Sequence, residues 1–121
     1  MWLQTVYGHL SVTCAREGQG EWGSPVDPDK LMVRARSRQH LDALQSRFQS
    51  LQGIAVFESE TADYRYRLFV AKAIWAEVVK EMVIETDYDN FKDAVAQTRP
   101  EDHAYLEALH RTWVTMAVLQ E

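Results

Sequence analysis

The sequence predicts a single α+β domain, residues 1–121, in which a four-stranded antiparallel sheet packs with helices in a two-layer sandwich. Three observations predict this fold class. A length of 121 residues suits one domain with one hydrophobic core. Four segments alternate apolar and polar residues with the period of a strand, and four others repeat apolar residues with the period of a helix. Their order along the chain is ββαββααα, and a chain of this order folds as two layers around one core.

The first predicted strand covers residues 2–15, and its more apolar side should face the core. That side consists of Trp2, Gln4, Val6, Gly8, Leu10, Val12 and Cys14. Gly8 indicates a bulge or a close approach of another segment. A Gly- and Pro-rich loop over residues 16–29 follows. We expect Trp22 in this loop to fold back over the edge of the core; the alternative is an aromatic lid over a site.

The second predicted strand, residues 31–36, leads into a helix that Ser37 caps and Gly53 ends. Strands at 54–58 and 64–70 come next. On the last strand Tyr64, Tyr66, Leu68 and Val70 should face the core.

The remaining helices are predicted at 72–85, at 89–97 and from Pro100 onwards. Asp87 or Asp89 is expected to cap the second of these. A right-handed crossover through the first helix makes the second and third strands parallel. Two antiparallel sheet orders then remain open, 1-2-4-3 and 2-1-3-4.

Composition narrows the class of function. The formal net charge is −5, which argues against general binding to nucleic acid. Cys14 is the only cysteine and forms no disulfide within the chain, so we expect a reducing, cytoplasmic setting. We expect no signal peptide or membrane span, because "MWLQTVYGHLSV" has no basic region and no apolar run approaches the length of a bilayer. We also expect no metal or cofactor; "ETDYDNFKD" resembles a calcium loop but lacks its glycine and closing glutamate.

Two arginine-bearing strands are the main candidate for a site. "VRAR" and "YRYR" place arginines two residues apart, and such residues share one side of a strand. With the first strand's outer side they predict an anion-binding face formed by Arg34, Arg36, Arg65, Arg67, Tyr7 and His9. Alternatively, Glu58, Glu60 or Asp63 neutralises the arginines as ordinary surface pairs.

The sequence is compatible with three classes of function. The favoured one is a small binding module whose sheet face takes an anionic ligand, either nucleic acid or a phosphorylated molecule. The alternative is a structural or interaction protein that forms a homodimer or docks an acidic partner. An enzyme is least favoured, because the sequence contains no identifiable nucleophile with a matching base.

A resemblance extends over most of the chain. The segments "YGHLSVTCA", "LMVRARSRQHLDAL", "ETDYDNFKDAV" and "LHRTWVTMAVLQ" resemble a family of small uncharacterised bacterial proteins. The resemblance implies one intact domain of a bacterial cytoplasmic protein, and it implies no activity or catalytic residue.

Overall fold

A computed structural model describes residues 1–20 and 22–121 as a mixed α+β fold with an open antiparallel sheet. The strands are β1 (Trp2–Thr5), β2 (Gly8–Arg16), β3 (Val26–Ala35), β4 (Phe57–Glu58) and β5 (Tyr66–Ala71). The helices are α1 (Arg38–Arg47), α2 (Lys72–Ile84), α3 (Phe91–Thr98) and α4 (His103–Met116). Over the described ranges, no helix is long and apolar enough to cross a membrane.

The sheet has five strands because the first predicted strand is a hairpin. The Thr5 hydroxyl accepts hydrogen bonds from the backbone N–H groups of Tyr7 and Gly8 and donates to the Gly8 carbonyl. These bonds close a tight turn, and β1 folds back on β2 with Trp2 opposite Ser11. Period-two alternation looks the same on both sides of such a turn, so it could not reveal the break.

Gly8 is a point of close approach, as predicted. Its φ is +147°, and a Cβ at this position would lie 2.2 Å from Cγ of His40. Only a residue without a side chain allows α1 to approach β2 this closely.

The strand order is β1-β2-β3-β5-β4, antiparallel throughout. With β1 and β2 counted as the first predicted strand, this is the predicted order 1-2-4-3. Pairing between β3 and β5 runs from Lys30↔Ala71 to Ala35↔Tyr66 and fixes the centre of the sheet.

One side of the sheet packs against α1 and α2 to form the main core. Leu10, Val33, Leu68 and Val70 are fully buried there, and Trp75 and Val78 of α2 lie against them. The predicted apolar stripe of α2 therefore faces the sheet. Phe48 and Leu51 remain buried although α1 ends at Arg47, because a short 3₁₀ turn over Gln49–Leu51 continues the packing.

Several local predictions were wrong. Cys14 is exposed, because β2 and β3 shift register between Cys14 and Arg16 and Ala15 is buried instead. Trp22 does not cover the core edge, since 92% of its surface is exposed. The strand predicted at 31–36 begins earlier, at Val26. The caps of α3 and α4 are Asn90 and Asp102.

A second, smaller core lies where α3 and α4 pack together around Val95, Tyr105 and Leu109. A buried histidine connects it to α1. Nε2 of His40 lies 2.9 Å from a carboxylate oxygen of Asp102, and Nδ1 accepts a hydrogen bond from the backbone N–H of His9. Because Nδ1 accepts, His40 carries its proton on Nε2 and donates it to Asp102.

Candidate functional site: an arginine pair on the open sheet face

Two of the predicted arginines lie directly opposite each other on the side of the sheet away from α1 and α2. Arg34 of β3 is paired in register with Arg67 of β5. Directly opposed residues have their Cβ atoms about 4.5–5.5 Å apart, so two like charges occupy neighbouring positions. Leu68 and Val33 beside them point the other way into the core, which directs both arginines outwards.

The pair belongs to a row of residues that crosses all five strands. Register places Trp2, Ser11, Arg34, Arg67 and Phe57 side by side. At about 4.8 Å per strand this row is roughly 19 Å long. Its two aromatic ends are open to solvent, with Trp2 73% and Phe57 43% exposed. The row therefore presents two cations between two exposed aromatic rings.

Tyr64 holds the arginines in place. The guanidinium carbon of Arg34 lies 4.7 Å, and that of Arg36 4.5 Å, from the centre of the Tyr64 ring. The Tyr64 carbonyl accepts a hydrogen bond of 3.1 Å from Arg67. Tyr64 is buried, but beneath these arginines and outside the main core, contrary to the prediction. It precedes β5, which begins at Tyr66, so strand alternation does not govern it.

Three of the four predicted arginines have no acidic partner among residues 1–20 and 22–121. The arginines that do form salt bridges there are Arg38, Arg47, Arg65, Arg99 and Arg111. Arg34 instead donates to the Ser11 hydroxyl, Arg36 to the Asp63 carbonyl, and Arg67 to the Met32 sulfur. All three acceptors are neutral, so the positive charge of this face is uncompensated by direct contacts.

Arg65 differs from the other three. Its guanidinium group lies 2.7 Å from Glu58 and 3.7 Å from Glu60. Surface carboxylates therefore neutralise Arg65, as the alternative interpretation of the sequence expects. They do not neutralise Arg34, Arg36 or Arg67.

Buried donors on this face also lack partners. The Nε atoms of Arg34 and Arg67 are buried and make no hydrogen bond to any described residue. Nδ1 of His9 is in the same situation. Buried polar nitrogens without partners carry a free-energy cost of about 1–3 kcal/mol each, so the face is not arranged for maximal stability.

His9 shares the face with the arginines, as predicted. Its Nε2 lies 3.4 Å from the Tyr64 hydroxyl, and its ring contacts Trp2 edge-on at 6.2 Å between centroids. Burial lowers the pKa of His9, and the positive charge of Arg36 lowers it further. A neutral His9 adds no charge, but its ring extends the aromatic surface next to the arginines.

Tyr7 does not share this face. It lies in the turn between β1 and β2, where its ring contacts Phe48 and its hydroxyl bonds to Glu85. Burial, followed by the bond to Glu85, raises the pKa of Tyr7 to about 12. The hairpin turn, which the sequence did not reveal, is what turns Tyr7 to the helix side.

Tyr7 lines a different concave region, a groove of about 780 Å³ between the β1–β2 turn, the end of α2 and α3. Four carboxylates line it, from Glu85, Asp87, Asp89 and Asp93. Arg47 neutralises Glu85, and the three aspartates leave the groove with an excess of negative charge that disfavours an anion. The groove and the arginine face therefore differ in the sign of the charge that they accept.

Two contributors to the arginine face were missed in the sequence. Ser11 is almost fully buried and orients Arg34, and Tyr64 contacts all three unpaired arginines. Ser11 could have been found, because it lies two residues from His9 and therefore on the same side of the first predicted strand. Tyr64 could not, because a residue in a turn has no periodic neighbours.

No family model, curated protein or solved structure matches this chain. Across the described residues, no three His, Cys, Asp or Glu side chains are grouped closely enough to hold a metal ion.

Proposed function

We propose that this protein is an anion-binding module, and that its ligand carries a phosphate which bridges Arg34 and Arg67. The observation that carries the proposal is the direct opposition of these two arginines without a carboxylate partner among the described residues. Opposed like charges destabilise a sheet by about 0.2–1 kcal/mol. A phosphate between them converts this repulsion into two charge-assisted hydrogen-bonded contacts.

The net charge of −5 does not oppose this function. Local charge sets the potential at a binding face, and interactions beyond about 8–10 Å are screened at physiological salt. Arg34, Arg36 and Arg67 form a cluster in which guanidinium groups contact one tyrosine and only neutral acceptors. Such a cluster attracts an anion even on an acidic protein.

The exposed rings at both ends of the row favour a ligand with flat groups beside its phosphate. Trp2 and Phe57 offer stacking surfaces on either side of the arginines. Stacking of a base on an aromatic side chain contributes about 1–3 kcal/mol. A nucleotide or a short single strand meets this requirement, whereas inorganic polyphosphate uses the arginines alone.

The test compares three probes at two salt concentrations: a short single-stranded oligonucleotide, a nucleoside triphosphate and inorganic tripolyphosphate. Binding is measured by calorimetry or by the change in tryptophan fluorescence. We expect all three to bind at low salt, and the two base-containing probes to bind more tightly. Each phosphate contact adds about −0.7 to the slope of log K against log salt for a single strand.

Arg34→Ala/Arg67→Ala is the informative variant, and Arg65→Ala is the matched control because Glu58 and Glu60 already neutralise that arginine. The double variant should weaken binding of every probe at least tenfold and make the oligonucleotide slope less steep by about 0.7, because one bridging phosphate contact is lost. Arg65→Ala should change affinity less than threefold. Absence of binding at low salt, or equal losses in both variants, would show that the proposal is wrong.

A further inference from the structure

Each end of the row that crosses the sheet carries a pair of aromatic rings. Trp2 meets the ring of His9 edge-on, with 6.2 Å between the ring centroids. At the other end Phe57 meets the ring of Phe69 edge-on, with 5.6 Å between centroids. His9 and Phe69 alternate in phase with residues of the row, so all four rings lie on the arginine side of the sheet. We call the two pairs the Trp2 platform and the Phe57 platform.

The two platforms lie at unequal distances from the arginine pair. Arg34 and Arg67 are neighbours in the row, so a phosphate that bridges them sits half a strand spacing from each. Phe57 is then about 7 Å away and Trp2 about 12 Å, as one and a half and two and a half strand spacings. The sugar of one nucleotide spans the shorter distance between a phosphate and its base, and it does not span the longer one. A mononucleotide held by the arginines therefore reaches the Phe57 platform alone.

We infer that the ligand is a single-stranded nucleic acid of at least three nucleotides, which crosses the strands with a phosphate on the arginine pair and a base on each platform. The inference rests on the proposed function and narrows its ligand from any phosphate with a flat group to a strand. The nucleotide next to the bridging phosphate supplies the base on the Phe57 platform. On the other side the longer distance requires a second nucleotide, and its base lies on the Trp2 platform.

The shape of the face favours a single strand over a duplex. Neighbouring strands of a sheet rotate by about 20–25°, so the two ends of this five-stranded sheet differ in direction by about 80–100°. A flexible single strand follows such a twist, and its unstacked bases are free to lie on aromatic rings. Paired bases keep their faces inside the stack of a duplex, so they cannot occupy two separate platforms.

Three probes separate the bases from the phosphates: a strand of six thymidine nucleotides, the same strand without bases, and thymidine triphosphate. Their affinities are measured by calorimetry for Trp2→Ala and Phe57→Ala, which should fold normally because both rings are largely exposed. Stacking of one base on an aromatic ring changes affinity by about fivefold or more. Phe57→Ala should weaken binding of the six-nucleotide strand and of the triphosphate at least fivefold. Trp2→Ala should weaken the strand at least fivefold and the triphosphate less than twofold.

Trp113→Ala is the matched control. Trp113 is also an exposed tryptophan, but its ring contacts Lys92 and His110 on the helices, so its loss should leave every affinity unchanged. The strand without bases should bind the parent protein and both platform variants equally, because it has no base to stack. Trp2→Phe should retain binding of the six-nucleotide strand, since phenylalanine keeps a stacking surface.

A loss in Trp2→Ala that is no larger for the six-nucleotide strand than for the triphosphate overturns the inference, and so does an equal loss for the strand without bases. Either result leaves the proposed function intact if Arg34→Ala/Arg67→Ala still weakens every probe. The proposed function fails separately, if that double variant binds all probes like the parent. The strand is tested in deoxyribose and ribose form to separate a DNA from an RNA ligand. A loss specific to Trp2 with either form supports the inference, and its absence with both overturns it.

Discussion

Replacing Gly8 with alanine should be one of the most damaging single substitutions in this protein, although it adds only a methyl group. The new Cβ would lie 2.2 Å from Cγ, 2.4 Å from Cβ and 2.6 Å from Nδ1 of His40. None of these atoms is the free end of a flexible chain. His40 is buried and is held by Asp102 on one side and by the His9 backbone on the other.

The magnitude follows from three separate costs. An alanine at positive φ carries strain of about 1–3 kcal/mol. Forcing a methyl group into a packed site costs about another 1–3 kcal/mol. If the ring of His40 moves away, its two hydrogen bonds are lost at about 1 kcal/mol each. Together these costs lower the free energy of unfolding by about 4–8 kcal/mol, which is comparable with the total for a small domain.

Urea denaturation at neutral pH measures this loss, and Gly53→Ala is the matched control. Gly53 also has a positive φ, +85°, but beyond its two chain neighbours no atom of the described residues lies within 4 Å of the site of its Cβ. Gly53→Ala should cost only the strain, about 1–2 kcal/mol. Adding His40→Gly to Gly8→Ala should recover part of the loss, because it removes all three clashing atoms, including the Cβ at 2.4 Å. Equal losses for Gly8→Ala and Gly53→Ala would refute the argument from close approach.

Two further predictions concern the helices. Val78 is 1% exposed in the main core, so Val78→Asp buries an unpaired charge and should lower the free energy of unfolding by about 3–5 kcal/mol. Val83→Asp, at an exposed position of the same helix, should change it by less than about 0.5 kcal/mol. Thermal melts that coincide for the two variants would show that α2 does not pack as described. Burial lowers the pKa of His40 below its value in the unfolded chain, despite the opposing effect of Asp102. The contribution of neutral His40 to stability is therefore fully present above about pH 6.5, the pKa of the unfolded chain, and it is lost as the pH falls from there towards the pKa of the folded protein. Urea midpoints between pH 5 and 8 should show this decline, and it should be reduced in His40→Gln; a midpoint that rises towards pH 5 would contradict it.

The periodic elements were predictable from the sequence because their signals are local. The alternation of Val33 and Arg34, or of Arg67 and Leu68, assigns each residue to one side of the sheet wherever the strand is regular. The stripe that includes Trp75 and Val78 identified the buried side of α2 for the same reason. Of the two sheet orders that chain connectivity left open, only the structure selected 1-2-4-3.

The sequence by itself determined which arginines share a face, and the tertiary structure decided which of them are free. Side-chain alternation is a property of the backbone and needs no partner, so Arg34 and Arg67 could be placed on the outer side from neighbouring residues alone. Pairing with Glu58 and Glu60, which neutralises Arg65, depends on how a turn folds. Two other contacts also arise at turns: Tyr64 stacks against Arg34, and the Tyr7 hydroxyl bonds to Glu85 on the helix side of the sheet. Contacts made by turn residues depend on distant segments of the chain, and period-two or period-3.6 patterns carry no information about those segments.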